Sequence, residues 1–129
     1  MIAGDTLAPL TVPLTRTLIV ATAIASRDYQ DVHHDPDLAR ARGARDIFMN
    51  ILTSNALVER YVRAWAGPAC VVERIRIRLG VPNHPGDAMT LTGVVGTVED
   101  DRVEVQVEGR NSLGVHLSGA VHVRLSQGS

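Results

Sequence analysis

Asp28 stands five residues ahead of His33 in the stretch Arg27-Asp28-Tyr29-Gln30-Asp31-Val32-His33-His34-Asp35-Pro36. A carboxylate and an imidazole titrate on either side of neutrality, so one short loop holding both can move a proton onto and off a substrate. The alternative for these two is an aspartate closing an Asx-turn and a surface histidine. Asp31, His34 and Asp35 thicken the cluster, and imidazole with carboxylate also suits zinc or manganese. Adjacent residues on an extended loop face opposite ways, however, so His33 and His34 are poorly placed to share an ion. Asp35 before Pro36 has a simpler role as a helix cap. No metal site is expected.

Elements on either side must position this loop. Thr17 to Ala25 is short and rich in Ile, Val and Thr, which predicts a buried strand. Pro36 at a first helical position makes Asp37–Arg42 a short helix that Gly43 ends. Phe48 to Ala66 predicts the main helix, with Ile51, Asn55, Val58, Val62 and Trp65 recurring on one face. Glu59 and Arg63 can pair on the opposite side, and Gly67-Pro68 stops the helix.

The period then changes to two. Cys70 to Val81 sets Arg74, Arg76 and Arg78 against Ile75, Ile77 and Leu79. Pro82 to Gly86 makes a turn into a strand over Ala88–Val98. Glu99-Asp100-Asp101 connects it to Val103, Val105 and Val107, and Ser112-Leu113-Gly114 turns into a last strand. On that strand Val115, Leu117, Val121, Val123 and Leu125 share one face, and His116 and His122 fall on the polar one. Residues 1–14 hold Pro9 and Pro13 without a clean period, an extended N-terminal arm. Helix and sheet segregate along the chain. The fold class is α+β, an antiparallel sheet wrapped on one long helix.

The 129 residues suit a single domain, and the core must be built from branched aliphatics because Tyr29, Phe48, Tyr61 and Trp65 are the full aromatic set. A formal net charge of −1 with no like-charge block speaks against a nucleic-acid surface or a polybasic membrane contact. Cys70 is the lone cysteine, so no internal disulfide can form. Leu18 to Ala25, the longest near-apolar run, is too short to span a bilayer. No basic segment precedes an apolar one at the N-terminus, so the cytosol is the simplest location.

Asp28-x-x-x-x-His33, Asp35-Pro36-x-x-Ala39, Gly43, a long helix and Val81-Pro82-x-x-Pro85-Gly86-Asp87 together resemble the MaoC-like hydratases. These are single-hotdog enzymes that hydrate 2-enoyl-CoA thioesters, and the resemblance runs from about Leu18 to Leu125. Two departures stand out. Gln30-Asp31 replaces the usual Asn-Pro, and Met49-Asn50-Ile51 replaces the usual His-Gly-Met. With Arg45-Asp46-Ile47-Phe48 and Val58-Glu59-Arg60-Tyr61-Val62, they resemble the small subunits of heteromeric enoyl-CoA hydratases of actinobacterial steroid side-chain degradation.

That resemblance implies a catalytic Asp28 and His33, and a larger MaoC-like partner subunit lacking the dyad, in an α2β2 assembly. It implies a steroid enoyl-CoA substrate and no cofactor, CoA being part of the substrate. It also places Asn50 where the family has its oxyanion-hole glycine. Any residue but proline keeps that backbone N–H, and asparagine can cap the helix or donate from its side chain as well. The three arginines, His116 and His122 read as solvated sheet faces rather than contacts with the CoA phosphates or the partner subunit. Trp65 and Tyr61 belong to the core or to a subunit interface. A thioesterase on the same fold would need an acid near the central helix, where Glu59 is the lone carboxylate. A non-catalytic, pocket-forming subunit is the other alternative.

Overall fold

The structure is a computed structural model and describes residues 1–126. It contains β1 (Thr6–Pro13), α1 (Arg16–Ala25), α2 (Pro36–Ala41), α3 (Ile51–Ala66), β2 (Val71–Leu79), β3 (Ala88–Glu99), β4 (Arg102–Asn111) and β5 (Gly114–Arg124). A single 3₁₀ turn covers Asp31–His33. The strands form one antiparallel sheet in the order β1-β3-β4-β5-β2. One face of it is buried with α3. Val58, Tyr61 and Val62 of the helix lie in the same buried cluster as Leu91, Val95, Val105, Val107, Leu117 and Val121 of the sheet. Among the described residues no helix is long and apolar enough to cross a membrane.

The expected extended arm is extended, and Thr6–Pro13 pairs with β3 as an edge strand. Its register slips between Leu7 and Leu10, around Pro9. An edge or a bulge is where a strand tolerates a residue with no N–H to give.

Arg16–Ala25 is a helix, not the buried strand its composition predicts. Thr15 caps it by accepting the Leu18 N–H at 3.0 Å. The Thr22 and Ser26 hydroxyls bond back to carbonyls of the preceding turn. Ile19 and Ala23, four apart, supply its buried stripe. Tertiary burial of that stripe overrides a modest β-propensity.

α3 begins at Ile51, with Asn50 as its N-cap, and Gly67 follows its last turn in a left-handed conformation. Its buried face runs through Thr53, Ser54, Val58, Tyr61 and Val62 rather than through Ile51, which is 50% exposed. Trp65 packs partly buried against the core, and the Tyr61 hydroxyl donates to the Ala8 carbonyl at 2.8 Å. Both aromatics therefore serve the core. Glu59 and Arg63 pair as the spacing predicts. Arg74, Arg76 and Arg78 are exposed along edge strand β2.

His116 corrects the reading of the last strand. It is 2% exposed. β5 spends one residue more than β4 there, since Leu117 faces Gly109 while Val115 already faces Arg110. A bulge turns the extra side chain, in this case inward. His122 keeps the outer face beside Glu104.

Candidate active site

The dyad loop is set by how α1 ends. Ser26 is the C-cap, and Arg27 takes a left-handed φ of 55°. The Arg27 N–H donates to Ile24 O, and the Asp28 N–H reaches back to Ala23 O at 2.8 Å. That is a Schellman closure with arginine where glycine is usual, and it fixes Asp28 two residues beyond the C-cap. The 3₁₀ turn and then the Asp35 cap, which accepts from Asp37 and Leu38, carry the chain back.

His33 is brought to Asp28 by this route. Its Nε2 lies 3.4 Å from Asp28 Oδ2. Its Nδ1 donates to the Phe48 carbonyl at 2.7 Å, and the Phe48 N–H donates to Val32 O. A carbonyl only accepts, so Nδ1 carries a proton, and in the neutral form of the ring Nε2 keeps its lone pair. The Phe48 ring meets the imidazole edge-on. The His33 side chain is 8% exposed and that of Asp28 21%, so solvent reaches the pair from the aspartate side.

Asn50 joins the site from the other direction. Its Oδ1 accepts the Thr53 N–H at 3.0 Å and the Thr53 hydroxyl at 2.6 Å. Its Nδ2 donates to Ser26 Oγ at 2.9 Å and to Asp28 Oδ2 at 3.2 Å. Both amide hydrogens are spent on these bonds, which leaves the backbone N–H as the group free to face a substrate. The backbone N–H groups of Asn50, Ile51 and Leu52 take no hydrogen bond among the described residues. Three unpaired donors at a helix N-terminus favour a developing negative charge.

Burial works against ionising Asp28. The Asn50 amide, the Gln30 N–H and the imidazoles of His33 and His34 outweigh it and hold the carboxyl below its ordinary range. With Asp28 ionised and the His33 ring in its neutral form, Oδ2 and Nε2 are both acceptors. At 3.4 Å they are too close for a water in line between them, but one lying beside the pair can give a hydrogen to each.

The rest of the loop cluster is otherwise engaged. His34 Nε2 donates to the Asp28 carbonyl at 2.6 Å, and its ring stacks on Tyr29. Asp31 pairs with Arg42 at 3.0 Å. Glu59 is tied to Arg63 at 3.0 Å, both of them partly exposed on α3. Ser26 and Thr53 are site residues that sequence reading missed. Thr53 had a signal, three residues after an Asn at a helix start. Ser26 had none, because its partner is 24 residues away.

No family model matches the chain. A curated relative, the 3-oxo-4,17-pregnadiene-20-carboxyl-CoA hydratase beta subunit of Mycobacterium tuberculosis, is 50% identical over 109 residues, 84% of each protein. A chain in the crystal structure of the ChsH1-ChsH2 complex from the same organism superposes with a TM-score of 0.96 at 46% identity, covering 98% of this chain and 99% of that one. The (R)-hydratase from A. caviae involved in PHA biosynthesis gives a TM-score of 0.89 at 17% identity, with 98% of each chain covered, and shares the fold. The chain therefore belongs to the MaoC-like hydratases of hotdog fold, in the group that includes this steroid-CoA hydratase beta subunit.

Proposed function

We propose that this chain is the catalytic subunit of a heteromeric enoyl-CoA hydratase, adding water to the α,β-double bond of a steroid side-chain thioester. The observation that carries the reading is the 3.4 Å approach of His33 Nε2 to Asp28 Oδ2, with the His33 tautomer set by the Phe48 carbonyl. The name and assembly of the M. tuberculosis relatives support the steroid substrate and a larger partner subunit.

In this reading one water lies beside Asp28 and His33, hydrogen-bonded to both. Its oxygen bonds to the β-carbon of the enoyl group, and the electron pair of the double bond moves toward the thioester oxygen. The Asn50 N–H at the start of α3 receives that oxygen as it gains charge, a contribution of roughly 3–4 kcal/mol for one such donor. The proton released by the water is held by the dyad and passes to the α-carbon. The enolate collapses and the atoms of one water are gained in full. CoA enters as part of the substrate, and the chemistry calls for no resident cofactor.

The test is hydration of a steroid enoyl-CoA by the chain co-expressed with its larger subunit, followed by loss of the conjugated thioester and by product mass. Asp28→Asn and His33→Ala should each lower kcat by about 10²–10⁴-fold with unchanged melting. Full activity in the His33→Ala complex would make the chain a pocket-forming partner instead. Free CoA detected with a thiol reagent would make it a thioesterase. A preference for short linear enoyl-CoA would remove the steroid assignment and leave hydration standing.

A further inference from the structure

Ser54 and His116 form a buried polar pair inside an aliphatic core, and the dyad chemistry does not use them. Ser54 is 0% exposed and His116 2%. His116 Nδ1 lies 2.7 Å from the Val81 carbonyl, and Nε2 lies 2.8 Å from Ser54 Oγ. Val81 O can only accept, so Nδ1 carries the proton and Nε2 accepts the serine hydroxyl. One proton arrangement satisfies every atom. Burial holds the ring neutral, against a smaller opposing pull from the Val81 carbonyl.

What this pair touches leads to the start of α3 by two routes. Ser54 is in the first turn, where its N–H donates to the Asn50 carbonyl and its Oγ lies 3.4 Å from the same atom. Val81 begins the segment that returns through Asn83, whose carbonyl takes the Met49 N–H at 3.1 Å. Asn83 is itself buried, with its Oδ1 held by Asn111 at 2.8 Å. Residues 49 and 50 are thus gripped from the helix side and from the β2–β3 connection. His116 bridges the two grips, and the bulge in β5 is what aims it there. A buried hydrogen-bonded pair fixes direction where a Leu or Ala pair would fix only volume.

We propose that Ser54 and His116 are positioning residues that hold the first turn of α3 in the orientation at which Asn50 meets Asp28 and its N–H faces the thioester. This rests on the hydration reading given above. The pair contacts no substrate. It acts through Asn50, so its loss slows turnover while substrate binding persists.

The test measures kcat, KM and melting for Ser54→Ala and His116→Gln in the full complex with the larger subunit. Ser54→Ala deletes one oxygen and leaves the helix position well packed. Its kcat should fall about tenfold, the scale of a small misplacement at a reacting centre, with KM within about twofold. Combined with Asn50→Ala, it should cost little further, because both act on one link. If kcat is retained, or if KM moves along with kcat, the pair is a structural plug and the proposal fails. His116→Gln carries the same kcat test should Ser54→Ala not fold. Asp28→Asn run alongside separates the two levels. Its retained activity would sink the hydration reading, whereas its loss with an intact Ser54→Ala would sink the positioning role alone.

Discussion

Asn50 does three jobs with one side chain and one backbone group. Its Oδ1 caps α3, its Nδ2 ties Ser26 to Asp28, and its N–H stays free at the helix start. Replacing it with alanine keeps the N–H and removes the other two functions. The lost cap should cost about 1 kcal/mol of stability, read by urea unfolding. The lost amide bond to Asp28 removes a cause of its low pKa, so that pKa should rise. The acid limb of the kcat/KM profile should accordingly move to higher pH in Asn50→Ala, since the proposed hydration uses the ionised carboxylate. An unmoved limb would show that the amide does not tune Asp28. In the sequence, Asp28 and His33 stand out by type and spacing, and Asn50 only through the family resemblance. Nothing there marks Ser26, because the bond between Ser26 and Asn50 exists only once α1 and α3 have been brought end to end.

At the scale of elements, one joint places the dyad and another holds the edge of the sheet. The first is the end of α1, where Arg27 holds a left-handed conformation that L-residues adopt at a cost of roughly 1–2 kcal/mol. Arg27→Gly should relieve most of that and raise stability by about 1 kcal/mol in denaturant unfolding, with the dyad geometry and kcat retained. A loss of stability would mean that the arginine side chain contributes more than its backbone costs. The second is the contact of β2 with β5. A Cβ added at Gly119 would run into the backbone carbonyl of Arg76, and β2 is one of the two edge strands of the sheet. Gly119→Ala should therefore break the β2–β5 pairing, with a loss of about 3 kcal/mol or more seen as a lowered melting temperature. The α1 segment was misread from sequence because its apolar run lacks a clean period. Its helical state rests on the Thr15 cap and on burial of Ile19 and Ala23, and only the first of these is a local signal.

For the whole molecule, acid stability should fall in two stages. Burial lowers the pKa of His116, and burial with Arg45 lowers that of His84. The unfolded chain takes up these protons first, from about pH 6.5 downward. Unfolding is then favoured as pH drops, and stability rises with pH across that window. The carboxyls of Asp28, Asp46 and Asp87 are also held low, the last two chiefly by hydrogen bonds from Arg16 and Ser112. Their contribution is present above about pH 3.9 and is lost as pH falls through the folded values. Urea unfolding from pH 8 to pH 3 should show both declines, and His116→Gln should weaken the first. An unchanged upper stage in that variant would show that His116 does not titrate on unfolding.

The chain by itself determined the α+β class, the main helix, the alternating strands of the C-terminal half and the Asp/His pair, because each is written in short-range periodicity or spacing. Tertiary structure alone decided that residues 16–25 coil, that Thr6–Pro13 closes the sheet edge, and that His116 turns inward. Each of these depends on a partner far along the chain, and no local pattern encodes a hydrogen bond or a buried face that a distant segment supplies.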